Sequence, residues 1–214
     1  MRAAIVFAAA PLIATPRLRT RLSQLADAFV VAADAGAATA LEFGRTPDVV
    51  IGDLDSIDPS TLSYLVQHEI RVEEYPRDKD ATDGQLAIER ALKESPTDLW
   101  LLGFLGGPRL DQALANVFVL SEIAIPTVLL DERNECRLLR GPATHTWTPE
   151  SSEVVSLLPL TEEVHDLHTV GLRWMLQGET LRRGQTRGVS NEPNAKEASV
   201  RIADGLLLLL RHFV

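Results

Sequence analysis

Up to about Asn134 the chain alternates short apolar runs with helix-forming segments, and beyond that point the alternation stops. Ala3–Ala10, Phe29–Ala33, Asp48–Ile51, Ile70–Glu74, Leu99–Phe104 and Thr127–Leu130 read as strands. Between them Arg17–Ala26, Ala37–Phe43, Asp58–His68, Thr82–Ser95 and Leu110–Ile123 read as helices. Strand and helix in regular alternation predict an α/β domain with a parallel sheet and helices on both faces. Local signals agree. Asp58-Pro59 puts proline in a favoured first-turn position. Thr82 and Gln85 match a capping box. Leu86, Ile88, Ala91 and Leu92 are expected to share the buried face of the helix they open. After Asn134 helical periodicity vanishes, and runs such as Glu153–Leu160 and Leu206–Leu210 are separated by Gly, Pro, Asn and Asp. The prediction is two domains: an α/β domain over 1–134 and an all-β sandwich over 135–214.

In a parallel α/β sheet, ligands bind outside the carboxyl ends of the strands. The third predicted strand ends in Gly52-Asp53-Leu54-Asp55-Ser56, and a second acidic cluster, Lys79-Asp80-Ala81-Thr82-Asp83, follows one unit later. If the chain is still extended at Asp53 and Asp55, both side chains point to one side. Carboxylates held that close repel unless a cation lies between them. Mg²⁺, a hard cation that shares its shell with substrate phosphates, is the natural choice. Asp53, Asp55 and Asp83 are therefore candidate metal ligands, with Lys79 reaching phosphate oxygens. Gly52 would let the backbone approach a phosphate closely. Each residue also has a plainer reading. Asp34, at the end of the second strand, suits a helix cap. Asp80 and Asp83 suit the positive end of a helix, and Thr82 is a cap whatever the function. Gly106-Gly107-Pro108-Arg109-Leu110-Asp111 is a glycine turn opening a helix, a weak phosphate-binding signal. Arg109 and Asp111 alone would make an ordinary surface pair. Asn116 is equally consistent with packing, Trp174 with a core position, and Gly188–Glu192 has the composition of a turn.

The formal net charge of −9 argues against nucleic acid or an anionic membrane as partner. It leaves room for an anionic substrate whose charge is offset by metal. Cys136 is the only cysteine, so there is no disulfide framework, and a reducing cytoplasmic setting fits. The N-terminal run AAIVFAAAPLIA has some leader-like character, but its expected role is a buried strand. The leucines at 206–210 are far fewer than the ~20 residues of a membrane span. The five histidines show neither metal spacing nor a Ser-His-Asp set.

Six stretches taken in order resemble the thiamine pyrophosphokinase (thiamin diphosphokinase) family: Ala33–Ala38, Gly52–Ser56, Lys79–Asp83, Gly106–Gln112, Gly171–Leu176 and Val189–Asn191. Ala35 and Ala38 stand where the family has Gly and Asn, and Pro108 is inserted in the glycine turn. The resemblance implies pyrophosphoryl transfer from ATP to the thiamine hydroxyl with release of AMP, by a homodimer that binds thiamine near the subunit interface. It implies Mg²⁺ on Asp53, Asp55 and Asp83, and Lys79 and Arg109 on phosphate oxygens. Asp34, Gly36, Gly52, Ser56, Asp80, Thr82, Gly107 and Asp111 are implied on the nucleotide side. Ser190 and Asn191 are implied on the thiamine pyrimidine, with Trp174 as a stacking partner for the cationic thiazolium. A phosphatase of the haloacid dehalogenase type, a pyrophosphokinase for another alcohol such as a pterin, and a catalytically weak nucleotide-sensing dimer are the alternatives.

Overall fold

A computed structural model describes residues 2–76 and 78–214, and the chain divides into two compact units, Met1–Glu132 and Arg133–Val214. The strands of the first unit are β1 (Ala4–Phe7), β2 (Phe29–Ala33), β3 (Val49–Gly52), β4 (Arg71–Glu74), β5 (Leu99–Leu102) and β6 (Thr127–Leu130). They lie in the order β4-β3-β2-β1-β5-β6, and each neighbouring pair is parallel. The winding direction reverses between β1 and β5, and in sheets of this kind ligands bind outside the carboxyl ends of the strands near such a switch point. β1, the run with leader-like composition, is a fully buried central strand.

The helices are α1 (Pro16–Ser23), α2 (Gly36–Glu42), α3 (Pro59–Gln67), α4 (Asp83–Leu92) and α5 (Leu110–Val119). Residues of α1, α2 and α3 pack with Ile5, Phe7, Val30, Ala32 and Val50, which alternate along their strands and so share one face. α4 lies against β1, β2 and β3 through Ala87, Ile88 and Ala91. Leu86 and Leu92, expected on that face, are only half-buried. At 100° per residue they flank the stripe that Ala87 and Ala91 define, and the small alanines bring the helix axis close to the sheet. Asp58 starts α3 by accepting from the N–H groups of Ser60 and Thr61, each at 3.0 Å. α5 stops short of the expected Ile123, because Leu120–Glu122 tighten into a 3₁₀ turn. It buries none of its residues; Leu110, Leu114 and Phe118 recur every four positions at 70, 50 and 61% exposure.

The second unit has strands β7 (Asn134–Arg140), β8 (Ala143–Trp147), β9 (Glu153–Pro159), β10 (Glu163–Val170), β11 (Gln177–Arg182), β12 (Ala198–Ile202) and β13 (Leu206–Phe213). They form antiparallel sheets in the orders β7-β13-β9 and β11-β10-β12-β8. Leu139, Val155, Leu157, Leu207 and Leu209 from one sheet pack with Val164, Leu167, Val200 and Ile202 from the other, which makes a sandwich. One charged network is buried among the strands. Arg211 donates from Nε and Nη2 to both oxygens of Glu153 at 2.8 and 2.7 Å, and Trp147 Nε1 donates to Glu153 at 2.9 Å. His145 stacks on Trp147, and burial pushes it down to about 4, so it stays neutral near pH 7. Among the described residues no helix is long and apolar enough to cross a membrane.

Candidate active site

Two strand ends interlock where the sequence places its acidic residues. Asp34 follows β2 in a left-handed conformation (φ 45°). Its N–H donates to Ile51 O at 2.9 Å, and its Oδ1 accepts from Leu54 N at 3.2 Å. The Asp34 carboxylate fills the space beside Gly52. A Cβ on Gly52 would lie 1.7 Å from Asp34 Oδ1, and Gly52 has φ +148°. The sequence suggests that this glycine leaves room for a phosphate; in the structure the room it leaves holds the Asp34 side chain. Leu54 is also left-handed, at φ 62°. The chain therefore turns between Asp53 and Asp55 instead of running extended, and the one-sided placement expected of an extended chain does not apply. Asp55 N donates to Asp53 Oδ1 at 3.3 Å, and Asp55 and Ser56 are exposed.

The start of α4 joins this turn. Thr82 caps it, accepting from Gln85 N at 3.2 Å. The capping box is half made, because the Gln85 amide donates to Glu89 at 3.0 Å. Asp83 is then the first helical residue. Its Oδ1 lies 2.9 Å from Lys79 Nζ, yet that buried oxygen accepts no well-formed hydrogen bond. Lys79 Nζ donates to Pro76 O at 3.1 Å. Asp80 is exposed.

The charges show which groups are near one another. Burial, and then the charge of Asp83, push the Asp34 carboxyl up to about 6; Asp53 adds to the rise and the bond from Leu54 N opposes it. Contact with Asp83 holds Lys79 above its ordinary value, with smaller contributions from Asp53 and Asp34. Asp34, Asp53 and Asp83 thus crowd around one ammonium. Among the described residues no group of three or more His, Cys, Asp or Glu side chains forms a ready metal cage. Mg²⁺ does not need one, since it keeps waters and takes one or two carboxylates plus phosphates. All-oxygen donors and the mutual repulsion of their charges suit such a cation.

The glycine turn stands apart from these contacts. Gly106 and Gly107 both adopt left-handed φ, 79° and 76°. Arg109 closes a forked pair with Asp111, Nε to Oδ1 at 2.8 Å and Nη2 to Oδ2 at 2.6 Å, which draws Asp111 down to about 2. Both side chains are about two-thirds exposed, at 63 and 66%. Asn116 Nδ2 donates to Phe104 O at 2.8 Å and so ties α5 to the end of β5. Gly36 is a packing glycine, since a Cβ there would meet Phe7 O at 2.3 Å.

In the second unit the segments 171–176 and 190–194 are zipped together. Arg173 N donates to Glu192 O and Asn194 N to Gly171 O, at 2.8 and 2.9 Å. Leu172 and Leu176 are buried, and Trp174 and Met175 between them are 46 and 50% exposed. Arg173 lies over the indole at 4.7 Å and pairs with Glu192 at 2.9 Å. Asn191 is buried, with its amide on the Trp174 backbone. Ser190 is exposed in a left-handed conformation (φ 60°), its N–H held by Ser156 Oγ at 3.1 Å. Among the described residues, Asp34, Leu54 and Ser190 are three of seven non-glycine residues with positive φ, and such strain concentrates at functional sites. Arg173 and Glu192 stand inside stretches the sequence singles out but were given no role there, and Ser156, in the strand Glu153–Pro159, carries no sequence signal at all.

Comparison with known proteins covers both units. The model of the thiamin pyrophosphokinase catalytic domain matches residues 22–128, and that of the thiamin pyrophosphokinase vitamin B1 binding domain matches residues 144–207. The thiamine pyrophosphokinase of Bacillus subtilis is 27% identical over 184 residues, 85% of this chain and 86% of that protein. Thiamine pyrophosphokinase 1 of rice is 29% identical over 168 residues, where this chain spans 73% of itself and 62% of the rice protein. Among solved structures, thiamine pyrophosphokinase from Bacillus subtilis superposes with TM-score 0.86 at 25% identity, covering all of both chains. That from Geobacillus thermodenitrificans gives 0.83 at 27%, covering 100% of this chain and 98% of the other. With the two domain models matched in order along the chain, and whole-chain likeness to solved members, the chain belongs to the thiamin pyrophosphokinase family.

Proposed function

We propose that this chain carries out the reaction its family is named for, moving a pyrophosphoryl group from ATP to the hydroxyl of thiamine and releasing AMP. Family membership makes it a kinase-type transferase. The observation that carries the finer reading is the crowding of Asp34, Asp53 and Asp83 around Lys79 at the carboxyl ends of β2 and β3. Three carboxylates and one ammonium cannot hold a triphosphate unaided. Asp53, Asp55 and Asp83 would hold Mg²⁺, which supplies neutralising charge to the phosphate oxygens when bound.

The chain's own residues do the rest. Lys79, now paired with Asp83, is the cation within reach of β- and γ-phosphate oxygens. Arg109 presents a planar fork that suits a phosphate once it exchanges Asp111 for one. Asp34 shapes the Asp53 turn through Leu54 N, Gly52 leaves room for the Asp34 carboxylate and Thr82 caps α4; Gly36, Gly107, Ser56, Asp80 and Asp111 are assigned to the nucleotide side. The thiamine oxygen attacks the β-phosphorus and the bond to the α,β-bridging oxygen breaks. That oxygen leaves with AMP, and the hydroxyl proton passes to solvent or a cluster carboxylate. Most of the barrier falls by positioning and electrostatics. Ser190 and Trp174 form the thiamine-binding surface, with the buried Asn191 amide behind them.

A homodimer is part of the proposal. It is supported by the apolar side chains left exposed on each unit, Leu110, Leu114 and Phe118 in one and Val170, Trp174, Met175 and Val189 in the other. A cytoplasmic setting is supported by the single cysteine of the sequence, Cys136, which allows no disulfide framework within the chain. The test is a coupled assay of AMP with ATP, Mg²⁺ and a panel of alcohols including thiamine. AMP formed with thiamine supports the reading. Inorganic phosphate in place of AMP, or turnover only with another alcohol, refutes it.

A further inference from the structure

We infer that Asn191 is a positioning residue, which sets Trp174 for thiamine by holding its backbone instead of touching the ligand. The inference rests on the reading of Trp174 as a thiamine contact. Three hydrogen bonds carry it. Asn191 Oδ1 accepts from Trp174 N at 3.1 Å and from Glu192 N at 2.9 Å. Asn191 Nδ2 donates to Trp174 O at 2.7 Å. The carboxamide therefore pairs with Trp174 as a peptide group in a neighbouring strand would, one donor to C=O and one acceptor to N–H. Both lone pairs of Oδ1 are used. The side chain is only 6% exposed, so little of it faces a ligand.

The backbone of Asn191 fixes the clamp to the sandwich. It exchanges N–H to C=O bonds with Val155 on β9, both at 2.8 Å. On the other side, Leu172 and Leu176 are 0 and 1% exposed and anchor the ends of the Trp174 segment. Leu176 N donates to Thr169 Oγ1 at 2.8 Å. Between those anchors only Arg173, Trp174 and Met175 loop out. An exposed three-residue loop has no packing of its own to fix it. The amide of Asn191 supplies the fixed point at its apex, and the Arg173–Glu192 pair at 2.9 Å steadies the guanidinium over one indole face. The ring is then a platform with one covered face, set before ligand arrives, which spares the ordering cost on binding.

The residue type is specified by this geometry. Aspartate keeps the two acceptor bonds but puts a carboxylate against Trp174 O. Alanine leaves both Trp174 backbone groups unpaired.

The experiment is steady-state kinetics on the full-length enzyme for Trp174→Ala, Asn191→Ala, Asn191→Asp and the double variant Trp174→Ala/Asn191→Ala, varying thiamine and ATP separately, with melting curves for each. Trp174→Ala alone tests the underlying reading; thiamine KM should rise roughly 5- to 150-fold, the loss expected for one aromatic stacking contact, and an unchanged KM refutes that reading. Given that rise, Asn191→Ala and Asn191→Asp should raise thiamine KM in the same range while ATP KM moves less than about twofold. In the double variant, removing Asn191 should add less than about twofold to the Trp174→Ala effect, because the two residues act as one unit. Full additivity in the double variant means Asn191 contacts thiamine directly and overturns the inference. So does a normal thiamine KM in both folded Asn191 variants. If Asn191→Ala melts too low to assay, Asn191→Asp, which keeps the volume and two of the bonds, decides the point.

Discussion

Replacing Gly52 by alanine tests the interlock between the two strand ends. The added methyl would sit 1.7 Å from Asp34 Oδ1 at a backbone φ of +148°. Asp34 is 8% exposed and tied to Leu54 N at 3.2 Å, so its carboxylate cannot swing aside freely. The backbone strain of a non-glycine residue costs about 1–3 kcal/mol. Displacing the carboxylate from Leu54 N forfeits a charge-assisted bond worth about 1.5–3 kcal/mol. Together these give roughly 2.5–6 kcal/mol, or a drop in Tm of roughly 5–24 °C for a chain of this size. The Asp53 turn hangs on the same bond, so turnover should fall with stability. The assay pairs melting curves of Gly52→Ala, Asp34→Ala and the double variant with AMP formation. The double variant removes the clashing carboxylate and should melt above Gly52→Ala. A Gly52→Ala protein with normal Tm and turnover, or a double variant that melts lower still, would refute the reasoning.

Two further perturbations follow from charge. Asp34, pushed up to about 6, binds its proton more tightly folded than unfolded. Its contribution to stability is therefore full below about pH 4 and is lost as pH rises to about 6, at a cost of about 1–3 kcal/mol in the absence of divalent cations. Asp34→Asn should melt above the wild type at pH 7.5 in chelator, with the gap closing towards pH 4; a gap that is constant across that range would contradict the cause assigned. In the sandwich, Arg211→Met would leave Glu153 and Glu135 without their shared partner in a buried site. That should destabilise the second unit by about 3–5 kcal/mol, read as lost protection of β13 amides in hydrogen exchange, and unchanged protection would show the network to be dispensable.

The alternation of strand and helix in the first unit, the cap at Thr82 and the sandwich of the second were legible because each is written locally, as hydrophobic period, capping chemistry or turn composition. The family resemblance was legible because six motifs stand in order. What escaped was long-range or conformational. Nothing local to Gly52 says that Asp34, eighteen residues earlier by number, fills its side-chain space. The left-handed turn at Leu54 could not be read from Asp-Leu-Asp, since leucine rarely adopts it. The Asn191 amide looked like a ligand contact in a polar turn, and only the fold brings the Trp174 backbone to it. Arg109 and Asp111 read as either phosphate binders or a surface pair, and they make the pair.

On the proposed reading Asp53, Asp55 and Asp83, delivered by two separate segments, gather a divalent cation that grips a triphosphate. Calorimetric titration of Mg²⁺·ATP into the wild type and into Asp53→Asn and Asp83→Asn tests it most directly. Each substitution should weaken binding by about tenfold or more while the protein stays folded in chelator, as its melting curve reports. Wild-type affinity for Mg²⁺·ATP in both variants would contradict the account.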